Sequence, residues 1–114
     1  MQPEVAKLLR DILEAGESVR EFTEGMSFND YLGARVVRLA VERQMITVGE
    51  ALNNALQQDP TLREKITAAR EIVAFRHILV HAYSIIDDNR VWGALVSKLP
   101  LLLAEVRALL PPTP

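Results

Sequence analysis

The sequence predicts an all-α protein, and two observations support this prediction. Apolar residues recur at three-and-four spacing along most of the 114 residues, and no stretch alternates apolar and polar residues for long, as a half-buried strand would. We expect a bundle of four or five helices in residues 1–110. A chain of this length supports a single core and therefore one domain, and the proline-rich residues 111–114 should form a loose tail.

The first half of the chain predicts two helices. Pro3 is well placed at a helix start, and the apolar spacing carries the first helix to about Gly25. Ser27 can cap a second helix, with Asp30 three residues later as an imperfect capping box. This second helix should be long and should end at the Asp59-Pro60 pair, because the residue before a proline disfavours helical geometry.

The segment from Thr61 to about Tyr83 predicts one helix or two, with Thr61 as a possible cap. The residues expected to face the core from this segment are Ile72, Phe75, Leu79 and Ala82. A turn follows at residues 87–89. The last helix should run from Arg90 to Leu110, with a kink at Pro100. Its expected apolar seam is formed by Trp92, Val96, Leu99, Leu103, Val106 and Leu110.

Composition excludes several classes of site. There is no cysteine, which removes disulfides, zinc–thiolate sites and cysteine nucleophiles. The first residues lack the basic and apolar regions of a signal peptide, and no apolar run approaches the roughly 18 residues of a membrane span. We therefore expect a soluble cytoplasmic protein that does not enter a membrane.

Charge is distributed unevenly along the chain. The net charge is −2, but residues 1–30 carry three basic and seven acidic side chains, whereas residues 61–98 carry six basic and four acidic ones. An acidic protein does not grip nucleic acid by bulk electrostatics, so any RNA binding should be local and modest. A difference of this size is also compatible with ordinary surface variation.

The segment from Arg76 to Tyr83 contains the residues best suited to chemistry. It holds both histidines of the chain, His77 and His81, together with one arginine. Histidine changes charge near neutral pH, and a guanidinium binds phosphate well, so the group suits acid–base catalysis on a phosphodiester. Alternatively, these polar residues simply mark the solvated edge of an apolar helix.

On an ideal helical wheel, His77 and His81 lie on the same side as Arg70, away from the expected core residues. Arg76 and Tyr83 lie close to each other but about 120° to 160° from His81. Three arrangements could still bring Arg76 and His81 to one substrate. The arginine could wrap round the helix, the helix could loosen before residue 87, or each site could combine groups from two chains across a two-fold axis.

Two further features of this helix lead to expectations. Val73 and Val80 make it apolar on a second side, which favours a homodimer that would cover them. His77 and His81 also have a metal-binding spacing of four residues, but Ile78 stands where an HExxH site has its glutamate. We therefore expect neither a metal nor a cofactor.

Arg76, His81 and Tyr83 match an Arg-x4-His-x-Tyr motif, and on these residues the chain resembles the HepT-like toxins, which are HEPN-domain ribonucleases. The similarity runs from Phe28 through Leu110. The segments that carry it are residues 41–43, 48–51, 75–83, 91–92 and 98–100. The family commonly has asparagine after the arginine, whereas this chain has His77.

The resemblance implies a HEPN-type helical bundle whose active cleft lies at a dimer interface. In a ribonuclease of this kind, Arg76 and His81 would be catalytic, and His77 and Arg70 would support them. The resemblance also implies a small antitoxin with a nucleotidyltransferase fold, which would silence the toxin by adding AMP to Tyr83. Alternatively, the chain is a non-catalytic HEPN-fold module that docks such a partner.

Overall fold

The computed structural model describes residues 1–112, and every regular element in that range is helical, which confirms the all-α prediction. The α-helices are α1 (Pro3–Phe22), α2 (Phe28–Gly33), α3 (Arg35–Gln58), α4 (Ala69–His81), α5 (Asp88–Gly93) and α6 (Leu99–Leu109). Short 3₁₀ turns lie at Pro60–Glu64 and Tyr83–Ile85, and a π-helical turn at Ala94–Lys98 joins α5 to α6. Within the described range, no helix has the length and apolar character needed to cross a membrane.

The core forms mainly where α1 packs along α3. Buried side chains repeat every three or four residues on both helices, as expected for two amphipathic helices that pack against each other. The buried residues of α1 are Val5, Leu9, Ile12, Ala15, Gly16 and Val19. Those of α3 are Val41, Met45, Val48, Gly49, Ala51, Leu52, Ala55 and Leu56. α4 then packs on another side of α3.

The predicted second helix is divided in two. Ser27 and Asp30 form the predicted capping box at the start of α2. The prediction of one long helix is wrong, because the chain leaves helical geometry at Ala34 before α3 begins. Arg38 stabilises this break by donating hydrogen bonds to two carbonyls at the end of α2, that of Leu32 and that of Tyr31, which also accepts the N–H of Ala34.

The Asp59-Pro60 pair ends α3, as predicted, but Thr61 does not cap the next helix. The side chain of Asp59 accepts a hydrogen bond from the backbone N–H of Thr61, so aspartate is the capping residue. It starts a 3₁₀ turn rather than an α-helix. The helix of the signature motif, α4, begins later, at Ala69.

The last helical stretch differs from its predicted register. The segment starts at Asp88, and Asp87 caps it. Val96 was expected in the apolar seam but is 61% exposed, whereas Leu95 and Leu102 are buried. The π-helical turn accounts for this change, because its wider turn shifts the register of the side chains. Pro100, which has no N–H to donate, is the second residue of α6, which begins directly after this turn.

The predicted C-terminal tail is only partly described. α6 ends at Leu109, Leu110 is extended, and Pro111 and Pro112 are exposed beyond it. The remainder of the tail, residues 113–114, lies outside the described residues.

Candidate active site

Helix α4 carries the motif and ends inside it. Ala82 leaves helical geometry, with φ −123° and ψ 36°, although its N–H still donates to the carbonyl of Ile78 at 2.8 Å. Tyr83 therefore lies in the following 3₁₀ turn rather than on α4. The prediction that Tyr83 continues the side of Arg76 by one helical repeat is wrong, because the regular helix stops at His81.

Two sides of α4 differ in their surroundings. We call the side formed by Ile72, Arg76 and Leu79 the packed face, because Ile72 and Leu79 are both 3% exposed in the core. We call the side formed by Arg70, Ala74, His77 and His81 the open face, because all four residues are exposed. The two faces divide the predicted catalytic pair, with Arg76 on one and His81 on the other.

Arg76 lies where α4 closely approaches Gly49 of α3. A Cβ atom placed on Gly49 of α3 would lie 2.2 Å from the Cβ and 2.7 Å from the Cγ of Arg76. No side chain fits in that space, so glycine is required for the stem of Arg76 to lie on the backbone of α3. Packing against α3 therefore fixes the stem of Arg76 independently of any ion pair.

The guanidinium of Arg76 is fixed by the next residue of α3. Nη2 of Arg76 donates to Oε1 of Glu50 at 2.9 Å, and the arginine side chain is 26% exposed. Its Nε is buried without a hydrogen-bond partner among the described residues. A buried N–H without a partner costs free energy, so a phosphate oxygen that reached it would be bound favourably.

The histidines of the open face lie against each other. The ring centroids of His77 and His81 are 4.4 Å apart, with the ring planes tilted by 48°. Both rings are exposed, and Arg70 is exposed on the same face. Because both residues are exposed in the described part of the chain, a substrate can reach either imidazole. Among residues 1–112, no group of three or more His, Cys, Asp or Glu side chains is arranged to hold a metal ion.

Tyr83 is exposed at the surface. Its side chain is 75% exposed, and Ile85 in the same 3₁₀ turn is 76% exposed. The turn therefore presents a phenol and an apolar side chain together at the surface, next to the end of α4.

A dimer was expected because Val73 and Val80 make α4 apolar on a second side, and the structure covers Val73 within the chain. Val73 packs against the core of its own chain, so it does not require a second subunit. This part of the expectation is wrong, because α4 is covered on more than one side within the protein. Val80 is half-buried.

Sequence reasoning did not identify the partners of Arg76. Gly49 and Glu50 entered only as part of a resembling segment, although a glycine inside an otherwise regular helix often indicates close packing. It also missed a polar cluster formed by Tyr31, Arg38, Glu42 and Asp88. Burial, and secondarily the nearby Asp88, raises the pKa of the Glu42 carboxyl, while Arg38 acts in the opposite direction.

Tyr31 lies at the centre of this second cluster. Its ring is fully buried and packs against Trp92 at a centroid distance of 5.2 Å, so Trp92 serves the core, as predicted. Its hydroxyl has no hydrogen-bond partner among the described residues, and burial raises the pKa of this phenol well above its usual range. The cluster joins α3 to the start of α5, where Arg38 pairs with Asp88.

The fold and the site define a class of protein: an all-α bundle whose fourth helix presents an arginine, fixed on its neighbour, and an exposed histidine five residues later. The family model for HepT-like ribonucleases matches residues 12–109 of the chain. A protein of Methanocaldococcus jannaschii named "Putative RNase" is 33% identical over 105 residues, covering 90% of this chain and 94% of the relative.

Two further relatives agree with this match. A "Probable ribonuclease HepT" of Thermococcus cleftensis is 33% identical over 101 residues, covering 89% of this chain and 91% of the relative. A "Putative RNase" of Caldanaerobacter subterraneus subsp. tengcongensis is 29% identical over 104 residues, covering 90% of each. No solved structure matches the chain significantly. The chain belongs to the HepT-like ribonuclease family, so its class of enzyme is ribonuclease.

Proposed function

We propose that this ribonuclease is the toxin of a toxin–antitoxin pair and cuts RNA internally without a metal ion. The proposal is carried by one observation, that Arg76 and His81 have different surroundings on α4. Arg76 is fixed by Gly49 and Glu50, while His81 is exposed and free to exchange protons. A rigid phosphate-binding cation and an accessible imidazole are the two groups that such a cleavage needs.

The chemistry follows from these groups. The 2′-oxygen of the ribose attacks the neighbouring phosphorus, the bond from phosphorus to the 5′-oxygen breaks, and a 2′,3′-cyclic phosphate remains. His81 takes the proton from the 2′-hydroxyl or gives a proton to the leaving 5′-oxygen. Arg76 holds the phosphate and stabilises its developing charge. His77 and Arg70 position the substrate from the same face as His81. DNA, which lacks the 2′-hydroxyl, is not cut.

The complete site is proposed to form between two copies of the chain. Arg76 and His81 lie on faces of α4 separated by about 140° on a helical wheel, so one straight helix does not direct both at the same phosphate. The fixed position of Arg76 also argues against its wrapping round the helix. A homodimer related by a two-fold axis can supply Arg76 from one chain and His81 from the other.

The proposed partner is an antitoxin with a nucleotidyltransferase fold that adds AMP to Tyr83. The exposure of Tyr83 supports this, because a transferase has to reach the hydroxyl. The added nucleotide would place a phosphate charge beside the end of α4 and would repel an incoming phosphodiester.

A second candidate function is a non-catalytic module that docks the transferase. Exposed apolar residues favour it, since Val36 is 79% and Leu39 is 50% exposed on α3, and Ile85 is 76% exposed beside Tyr83. Exposed apolar groups of this kind often belong to protein interfaces. Under this alternative the folded protein binds its partner but does not cut RNA.

The test of the nuclease is cleavage of a single-stranded RNA by wild type and by His81→Ala, with and without chelator. We expect wild type to leave a 2′,3′-cyclic phosphate and the variant to be slower by about 10² to 10⁴-fold, the usual contribution of a general acid or base. Chelator should change nothing. Full activity in folded His81→Ala would exclude this mechanism, and activity restored only by a divalent ion would identify the histidine pair as a metal site.

The test of the modification is intact mass after incubation with antitoxin, ATP and magnesium. Wild type should gain the mass of an adenylate, whereas Tyr83→Phe should gain none and should stay toxic in the presence of antitoxin. If wild type is neutralised without a mass change, the antitoxin acts by occlusion and the AMP proposal is wrong.

A further inference from the structure

A groove runs between α4 and the helical segment that follows it. Its volume is about 430 Å³, within the ~300–1,000 Å³ typical of ligand pockets. Glu71 and Ala74 line one wall, and α5 and the π-helical turn form the other. Ala74 belongs to the open face of α4, three residues before His77 and seven before His81. The groove therefore adjoins the open face through Ala74, although neither histidine lines it.

The far wall of the groove carries positive charge. Arg90 and Lys98 both line it, and neither forms an ion pair with a carboxylate anywhere in residues 1–112. Lys98 is half-buried, and Arg90 is exposed. Glu71 on the opposite wall is exposed and is the one carboxylate among the residues of the described chain that line the groove. An anion that contacts the far wall would gain two charge-assisted contacts.

The floor of the groove is apolar. Ile72 is buried and Phe75 is half-buried, so the aromatic ring is partly available to a ligand. The wall opposite is shaped by the π-helical turn, where Ser97 donates its hydroxyl to the carbonyl of Gly93 at 2.7 Å. π-Helical turns occur frequently at functional sites because they alter which side chains a helix presents. An apolar floor with a cationic wall matches a nucleotide, which has a flat base and a phosphate.

We propose that this groove binds a nucleotide that flanks the cleaved phosphodiester, with Arg90 and Lys98 on the RNA backbone and Phe75 against the base. The proposal rests on the proposed function, because it takes single-stranded RNA as the substrate. It explains how an acidic protein holds RNA, since two cations without an ion pair in residues 1–112 line one groove. It adds a binding subsite on a part of the chain outside the Arg-x4-His motif.

The first measurement is binding, which does not depend on cleavage. The probe is a labelled single-stranded RNA of about ten nucleotides whose 2′-hydroxyls are methylated, so that it cannot be cut. We expect Arg90→Ala/Lys98→Ala to weaken binding by about tenfold and to reduce the slope of log K against log salt by about 1.4, the value for two lost phosphate contacts on a single strand. The control is Arg10→Ala/Arg20→Ala, which removes two exposed cations from α1 and changes the net charge equally. Equal weakening in both variants would overturn the proposal.

The second measurement compares cleavable substrates of different length. A dinucleotide has no phosphate other than the scissile one, so Arg90 and Lys98 have no further phosphate to contact, whereas a strand of about ten nucleotides supplies several. Arg90→Ala/Lys98→Ala should raise KM for the longer strand and leave kcat/KM for the dinucleotide unchanged. An equal loss on both substrates would overturn the flanking role, because it would place the two cations at the reacting phosphate.

The two proposals fail in different ways. If wild type cuts no RNA but its binding of the methylated strand depends on Arg90 and Lys98, the groove stands and the nuclease proposal fails. If wild type cuts RNA and the groove variant matches its control, the nuclease stands and the groove proposal fails. If RNA binding is unchanged but binding of the antitoxin is lost, the groove is a protein-docking surface and the nucleotide assignment is wrong.

Discussion

The packed face and the open face of α4 belong to one helix, yet different forces determine their structure. On the packed face, Arg76 is held by a glycine that lets two helices touch and by a carboxylate 26 residues away in sequence. On the open face, His77 and His81 contact each other and solvent. One chain therefore fixes Arg76, the proposed phosphate-binding group, and leaves both histidines exposed. In the proposed site, the rigid half comes from packing within a chain, and the exposed half has to be completed by a substrate or a second chain.

The largest expected effect is on RNA cleavage by a dimer whose two chains carry different substitutions, one on each face of α4. We predict that a purified heterodimer of Arg76→Ala and His81→Ala chains recovers about half of wild-type RNA cleavage, because one of its two composite sites is intact. Each homodimeric variant should be inactive. Two affinity tags, one on each variant, allow the heterodimer to be isolated and assayed.

The control is the opposite pairing, a heterodimer of wild type with an Arg76→Ala/His81→Ala double variant. In a composite site both of its sites are damaged, so it should be inactive. If instead this control retains half of the activity and the first heterodimer has none, each chain carries its own complete site.

The next effect tests the packed face alone. Gly49→Ala should destabilise the protein by roughly 1–3 kcal/mol, the usual cost of overpacking, because the new Cβ would overlap the stem of Arg76. Gly33→Ala is the control, since a Cβ there meets nothing within 4 Å. The control should be neutral or gain up to about 1 kcal/mol. Urea unfolding measures both, and equal stability of the two variants would show that the helices do not meet at Gly49.

The difference between the faces also explains what the sequence could predict. Apolar spacing and local capping signals located α1, the capping box at Ser27 and the end of α3, because those features depend on neighbouring residues. The motif located Arg76 and His81. The break at Ala34, by contrast, depends on Arg38 reaching back to carbonyls that a long helix would have satisfied.

Other features depend on residues that are distant in sequence or on backbone geometry. Glu50 could be assigned to Arg76 only once α3 and α4 were placed side by side. The end of α4 at His81 has no glycine or proline to indicate it. The π-helical turn changes the register of the last helical segment, so Val96 points outward although its spacing fits the seam.

A smaller effect on stability separates the contribution of charge from that of packing where Arg76 of α4 meets α3. Glu50→Gln keeps the shape of the side chain and removes its charge, so it should cost no more than about 1 kcal/mol, as partly exposed ion pairs do. The loss should shrink in 1 M salt, where the Debye length is about 3 Å. Glu71→Gln, an exposed carboxylate without an ion pair in residues 1–112, serves as the control. A loss as large as that of Gly49→Ala would mean that charge, rather than close packing, holds Arg76.

The smallest expected effect is a gain in stability rather than a loss, and it comes from Glu42, a second carboxylate of α3. Glu50 faces a cation, whereas Glu42 is half-buried near Asp88, and burial and that like charge raise the pKa of Glu42 despite Arg38. A carboxyl whose pKa is higher in the folded than in the unfolded state binds protons more readily when folded, so its ionisation opposes folding above that pKa. Glu42→Gln should therefore be slightly more stable than wild type at pH 7. Its advantage should disappear as the pH falls through the raised pKa to below the ordinary value of 4.5, where the carboxyl is neutral in both states. Thermal unfolding of the two proteins between pH 4 and 8 measures this difference in stability. If the variant is less stable than wild type at pH 7, the attraction of Arg38 outweighs the cost of burying Glu42.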